Sequence, residues 1–415
     1  MSSVRNYVLV TGAYWVFTLT DGALRMLVLL HFYELGYSPV QLAFLFLFYE
    51  FFGVVTNLVG GWIAANMGLR TTLFGGLGLQ VVALGMLSLL EPEWSRTVSV
   101  VYVMSAQALS GIAKDLTKMS SKTAIKVLVP EEASGALFRW VAILTGSKNA
   151  LKGVGFFLGS FLLAALGYRW ALLAMAGGVA VSLAVTATTL PAGLGRARAR
   201  KKLRGLLSKS REINVLSAAR FFLFGARDIW FVVGVPVFLS AGLAWGFTQV
   251  GGFLATWVIG YGVIQSVAPA VIGRFTGGRS PGRRSAQVLA FLLAGVMTAV
   301  AAGVASGRHP EVVVLGGLAL FGVVFAINSS VHSYLILAYS DGDDVALNVG
   351  FYYMANAGGR LVGTLLSGLM YQVAGLAGCL WTSMGFAVLT GILSLSLPPT
   401  KEQMMATMKV EGAGD

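Results

Sequence analysis

The chain has 415 residues with 30 Lys and Arg against 17 Asp and Glu, a formal charge of +13, yet only 11% of its residues are charged and 56% are apolar. A soluble domain carries roughly 25% charged residues, so this composition excludes water as the main solvent, and with it a soluble enzyme. No DNA- or RNA-reading motif accompanies the positive charge, so nucleic acid is not the expected partner; the lipid bilayer is.

Lipid leaves only helices or closed barrels as spanning structures, and the apolar runs here are too long for barrel strands. The 53 glycines suit helices that must approach closely to gain packing energy in lipid. Span 1 falls near 7–33. Only Arg5 precedes it and no small-residue cleavage site follows, so it reads as a span and not as a signal peptide. It carries Asp21 with Arg25 one turn further on, and span 2, near 38–65, carries Glu50 alone, to hold a coupling proton or to answer a buried cation. The next segment, GGWIAANMGLRTTL, resembles the loop signature of the major facilitator superfamily through Gly61, Gly68 and Arg70, although Ala65 stands where an acid is usual. Span 3 lies near 71–90. Span 4, near 98–120, carries Lys114, Asp115 and Lys118, with Lys122 and Lys126 read as a solvated helix end. Span 5, near 137–166, holds Lys148, Asn149 and Lys152, and span 6 follows near 168–190.

A basic linker, 191–213, then carries Arg196, Arg198, Arg200, Lys201, Lys202, Arg204, Lys209 and Arg211. Beyond it, spans 7 to 12 fall near 214–240, 246–272, 286–305, 312–339, 346–374 and 377–397, with a tail at 398–415. Span 7 contributes Arg220, Arg227 and Asp228; span 10 contributes Asn328 and His332; span 11 contributes Asn356 and Arg360. Residues 1–190 and 214–397 therefore read as two six-helix halves. Asp21 aligns with Asp228, Gln41 with Gln249 and Lys152 with Arg360 at an offset of about 207 to 208 residues, the kind of internal repeat found in secondary transporters. The linker and the arginines after span 8 (Arg274, Arg279, Arg283, Arg284) place both termini on the cytoplasmic side, despite Asp341, Asp343 and Asp344 in the loop after span 10. The expected class is an all-α integral membrane protein with the twelve-helix major facilitator fold.

Apart from Arg139 and Arg169 near span ends, eight cations inside the spans (Arg25, Lys114, Lys118, Lys148, Lys152, Arg220, Arg227, Arg360) face four acids (Asp21, Glu50, Asp115, Asp228). A charge at mid-membrane costs ~2.5–3.5 kcal/mol, so four uncompensated cations would cost roughly 10–14 kcal/mol. An excess of one sign in a wet cavity favours a ligand of the other. Arg25, Lys114, Lys148, Lys152, Arg227 and Arg360 are the candidate anion ligands, with Asn149 and Asn356 to orient the ligand or to tie helices together. Asp21, Glu50, Asp115 and Asp228 are candidates for coupling or gate roles. Asp21 with Arg25, and Arg227 with Asp228, are also readable as structural pairs, and Lys118 and Arg220 as side chains reaching to the interface. No Cys/His cluster, Walker loop or nucleophile elbow occurs, so no enzyme chemistry, cofactor or metal is expected.

The stretches LTDGALRMLVLLHFYELGYSPVQ, ALSGIAKDLTKMSSKTAIK, VAILTGSKNALKGVGFFLG and SAARFFLFGARDIWFVVGVPVFL resemble the ArsJ-type organoarsenical efflux permeases of the major facilitator superfamily. The resemblance implies export of arsenylated phosphoglycerate from the cell across the inner membrane, arsenate resistance, and a functional link to glyceraldehyde-phosphate dehydrogenase, which makes that compound. A monomer is the expectation. The residues alone leave open another organophosphate or organic-anion carrier, a proton-coupled drug exporter, and a membrane receptor that moves nothing.

Overall fold

The computed structural model describes residues 2–128, 134–191, 210–275, 281–340 and 345–399. Most of the basic linker, the loop acids Asp341, Asp343 and Asp344, nearly all of the tail, and the side chains of Lys122, Lys126 and Trp140 lie outside this description.

Nine stretches among the described residues are long and apolar enough to cross a bilayer. Two of them, Lys148–Thr189 and Asn348–Leu395, each contain two spans. The chain turns at Gly167 (φ 73°) in the first and at Ala374 and Gly375 (φ 61° at the glycine) in the second. Positive φ at both glycines carries no Cβ penalty, which is why the turns fall there. The remaining span is Arg96–Leu128, whose Lys114, Asp115 and Lys118 dilute its apolar character. The twelve expected helices are accounted for.

Two spans are less regular than their apolar patterns suggested. Span 2 is Pro39–Leu45 followed by Leu47–Met67, with a break at Phe46. Span 7 is helical over Arg211–Phe231 and resumes at Gly234–Val237 before a π-helical turn, Phe238–Gly242. The Ser367 hydroxyl accepts from both Val233 N–H and Gly234 N–H at 3.1 Å, so the amides freed by the break stay bonded. Backbone groups left unbonded in lipid would cost several kcal/mol each.

The internal repeat reaches into the caps. Ser38 caps span 2 in a reciprocal box with Gln41, whose Oε1 accepts from Ser38 N–H at 2.9 Å. At the start of span 8, Gln249 Oε1 accepts from Gly246 N–H at the same distance. Two glutamines that matched in sequence therefore satisfy equivalent orphan donors.

The chain divides into two compact units, Met1–Arg204 with Pro236–Ile259, and Gly205–Val235 with Gly260–Asp415. In the first, spans 1 and 5 pack backbone to backbone. A Cβ at Gly155 would lie 2.6 Å from Leu19 O, one at Gly22 would lie 2.8 Å from Lys152 O, and one at Gly159 would strike the carbonyl and Cα of Ala23. In the second unit spans 7 and 11 do the same: a Cβ at Gly363 would lie 2.9 Å from both Gly225 O and the Asp228 Cβ. Close approach of this kind substitutes for the hydrophobic drive that lipid does not supply. Gly159→Ala should accordingly lower the stability of the purified protein by about 1–3 kcal/mol, the usual range for overpacking. A melt followed by tryptophan fluorescence checks this, and an unchanged midpoint would mean that the helices are not in contact at this turn.

Candidate functional site

The charged residues inside the spans sort into one cluster in each unit. In the first unit, the turn of span 1 that carries Asp21 and Arg25 faces the start of the longer helix of span 2. Arg25 donates from Nη2 to Glu50 Oε1 at 2.5 Å, and both side chains are buried. Span 2 thus supplies the counter-charge that Asp21 was also read as offering, so the structural partner of Arg25 is Glu50. Asp21 instead accepts from the Tyr49 hydroxyl at 2.7 Å. The Tyr49 ring has the Arg25 guanidinium 5.5 Å and the Lys114 ammonium 4.1 Å from its centroid, so one aromatic side chain ties the three charged groups together.

Asp115 in span 4 is fully buried and accepts from Thr56 Oγ1 at 2.5 Å and from Asn57 Nδ2 at 3.5 Å. Lys118 donates to Asp115 Oδ1 at 3.4 Å and to Asn57 Oδ1 at 3.0 Å. Lys118 is therefore held inward by span 2 and does not reach to the interface. Lys148 is exposed at the first turn of span 5 whose side chains are described, while Asn149 and Lys152 are half-buried. The Lys152 ammonium lies 5.7 Å from the centroid of the Phe156 ring. The turn carrying Lys152 packs on Gly22, beside Asp21.

In the second unit, the fully buried Asp228 joins spans 7 and 11. Its Oδ1 accepts from Arg227 Nε at 2.6 Å and its Oδ2 from Arg360 Nε at 3.2 Å. One carboxylate thus answers two arginines, each with a side chain 15% exposed. Two turns earlier on span 7, Arg220 is buried, and the expectation that it reaches to the interface is corrected. Neutral groups hold it: Nε donates to Asn356 Oδ1 at 2.9 Å, and Nη1 donates to the carbonyl and hydroxyl of Ser329, both at 3.1 Å. Its guanidinium also lies 4.0 Å from the centroid of Phe224 and 5.0 Å from that of Tyr352. Asn356 is thereby placed as the tie between spans 7 and 11.

The sequence reading missed the neutral partners. Tyr49, Thr56, Asn57 and Ser329 are ordinary residues in apolar helices, and only the tertiary arrangement brings them to a charge. Arg220 had a visible signal, its seven-residue spacing from Arg227, which puts both on one face of span 7. Among the described residues, no group of three or more His, Cys, Asp or Glu is arranged to hold a metal ion.

The family profile of the Major Facilitator Superfamily matches residues 10–274. Among solved structures, the chain is similar to a D-xylose–proton symporter at 14% identity, covering 96% of this chain and 99% of that one, with a TM-score of 0.73. It is similar to a bacterial homologue of the iron transporter ferroportin in an inward-facing state at 15% identity, covering 95% and 98%, with a TM-score of 0.71. A POT family transporter in complex with a thioalcohol-conjugated peptide matches at 14% identity, 94% coverage of each chain and a TM-score of 0.70. At these identities the likeness speaks for the fold alone. No curated protein sequence matches the chain. The matched profile spans well over half of the 415 residues, and with twelve membrane-spanning helices it makes this chain a multi-pass membrane transporter of the major facilitator superfamily.

Proposed function

We propose that this transporter exports an organic anion that carries arsenate and phosphate groups, arsenylated phosphoglycerate, by alternating access of its two halves. The observation that carries the reading is the charge of the second unit: Arg220, Arg227 and Arg360 stand inside the spans against one acid there, Asp228. In the first unit Arg25, Lys114, Lys118, Lys148 and Lys152 stand against Asp21, Glu50 and Asp115. Among these residues each unit keeps two more cations than acids, and an anion balances them. A phosphate group carries about −1.5 to −2 at neutral pH, and arsenate is similar, so a two-headed substrate of this class matches the excess. Arg forks bind such tetrahedral groups through paired donors, and Lys adds movable point charges.

The direction follows from the same charge. Moving three negative charges outward across 100 mV, inside negative, releases roughly 7 kcal/mol. Export then runs without a coupling proton, and the Lys- and Arg-rich loops place both termini on the cytoplasmic side of the inner membrane. The resemblance in the charged spans supplies the substrate and its source, glyceraldehyde-phosphate dehydrogenase acting on arsenate.

Cells expressing this chain should accumulate less arsenic and grow in more arsenate only when glyceraldehyde-phosphate dehydrogenase activity is present, read by arsenic content after arsenate exposure. Equal protection without the dehydrogenase would point to a carrier of inorganic arsenate or phosphate. No protection in either background would leave the arsenical substrate without support.

A further inference from the structure

The buried surroundings of Arg220 contain more hydrogen-bonding capacity than the protein uses. Its Nη2 group donates to none of the described residues, whereas Nε and Nη1 are bonded. His332, three residues on from Ser329 in span 10, is fully buried and bonds through neither ring nitrogen. Asn328, one turn away on the same face of span 10, is also fully buried and bonds through neither amide atom. Ser329, between them in sequence, is a residue that grips Arg220. Unmade hydrogen bonds on two buried side chains one turn apart, flanking a residue that grips a buried cation, are rare in a folded protein. A cation held, among the described residues, by neutral groups in an apolar helix bundle is rarer still.

The position of this cluster relative to Arg227 matters. The Phe224 ring lies near both arginines, its centroid 4.0 Å from the Arg220 guanidinium carbon and 5.0 Å from that of Arg227. The two guanidinium carbons are thus at most the sum of these distances apart. Spans 7 and 11 carry two rungs, Arg220 with Asn356 and Asp228 with Arg227 and Arg360, separated by about two helical turns on span 7.

We propose that Arg220, with Asn328 and His332, forms a second anion subsite that takes one tetrahedral oxyanion head of a two-headed substrate while Arg227 and Arg360 take the other. This rests on the reading of the protein as an anion carrier and deepens it. The Arg220 Nη2 group supplies a charged donor, Asn328 supplies an amide donor, and His332 supplies a ring N–H. The two rungs are set apart along span 7, so the ligand class is a short-chain compound with an anionic group at each end. A single oxyanion fills one rung only.

The test compares two probes on the protein in lipid nanodiscs: inorganic phosphate and propane-1,3-diyl bisphosphate. The native chain should bind the bisphosphate at least tenfold more tightly than phosphate, because the second head binds at high effective concentration. Arg220→Gln should reduce that ratio to about two- or threefold while inorganic phosphate still binds at Arg227 and Arg360. Asn328→Leu should reduce the ratio without lowering the melting midpoint, since it removes an unbonded buried amide. That variant, with Arg220→Lys, decides the matter should Arg220→Gln fail to fold. A native chain with equal affinity for both probes, or a ratio unchanged by Arg220→Gln and Asn328→Leu, overturns the subsite and leaves the carrier reading in place. A native chain that binds neither probe overturns both.

Discussion

Asp228→Asn should lower transport to background and destabilise the second unit. Asp228 is fully buried and is the acceptor for Arg227 on one oxygen and Arg360 on the other. An asparagine keeps one acceptor oxygen, which satisfies one arginine at most, and turns an N–H₂ donor towards the other. Donors then face donors in a site with little water, and two guanidinium charges lose the carboxylate they share. Breaking a buried pair by removing one partner typically costs about 3–5 kcal/mol, because the charge left behind is uncompensated. The measurement is a pair of assays, the melting midpoint of the purified variant and substrate flux in vesicles. Adding Arg360→Gln to Asp228→Asn removes one of the stranded charges and should recover much of the stability. It should not recover flux if Arg360 is an anion ligand. A double variant that transports like the native chain would reduce Arg360 to a structural partner of Asp228 and remove it from the proposed site.

Glu50→Gln should have an effect of similar size in the first unit, for the same physical reason. Arg25 and Glu50 meet at 2.5 Å with side-chain exposures of 7% and 1%, so neither has water to fall back on. The arginine also lies near the faces of Phe46 and Tyr49, which keep it seated once the carboxylate is neutralised and so retain the strain of an unpaired charge. Apolar replacement of both members, Arg25→Met with Glu50→Met, should be far milder than either single change, since a buried pair exchanged for packed apolar side chains is often near neutral in stability. A double-mutant cycle on stability should give a coupling of about 2 kcal/mol or more. A coupling near zero would mean that the two residues do not interact and would reopen Asp21 as the partner of Arg25.

Both predictions turn on which acid answers which cation, and that is decided between helices rather than along one. Asp21 and Arg25 are one turn apart on span 1 and make a natural pair by spacing. Tyr49 draws Asp21 away through a hydrogen bond, and the approach of span 2 brings Glu50 to Arg25. Neither partner choice is encoded in the local sequence, because each depends on a helix more than twenty residues distant. The pairing of Arg227 with Asp228 was legible from adjacency alone, but the attachment of Arg360 to the same carboxylate required span 11 to lie against span 7.

Sequence by itself determined the solvent, the helices and their number. Long apolar runs in lipid have no alternative to the helix, and the turns at Gly167 and Gly375 fall where a residue without Cβ permits them. It also determined the excess of positive charge inside the spans, since that is a matter of counting residues whose side chains are too polar to belong there by chance. Tertiary structure alone decided where those charges end: Arg220 gripped by Ser329 and Asn356, Lys118 turned inward to Asp115 and Asn57, and Glu50 set against Arg25. The reason is range. Helix formation in a bilayer is settled by the chain's own backbone hydrogen bonds, within four residues. The partner of a buried charge is settled by which helices approach, and glycines such as Gly22, Gly155 and Gly363 set that approach at contacts far apart in the chain.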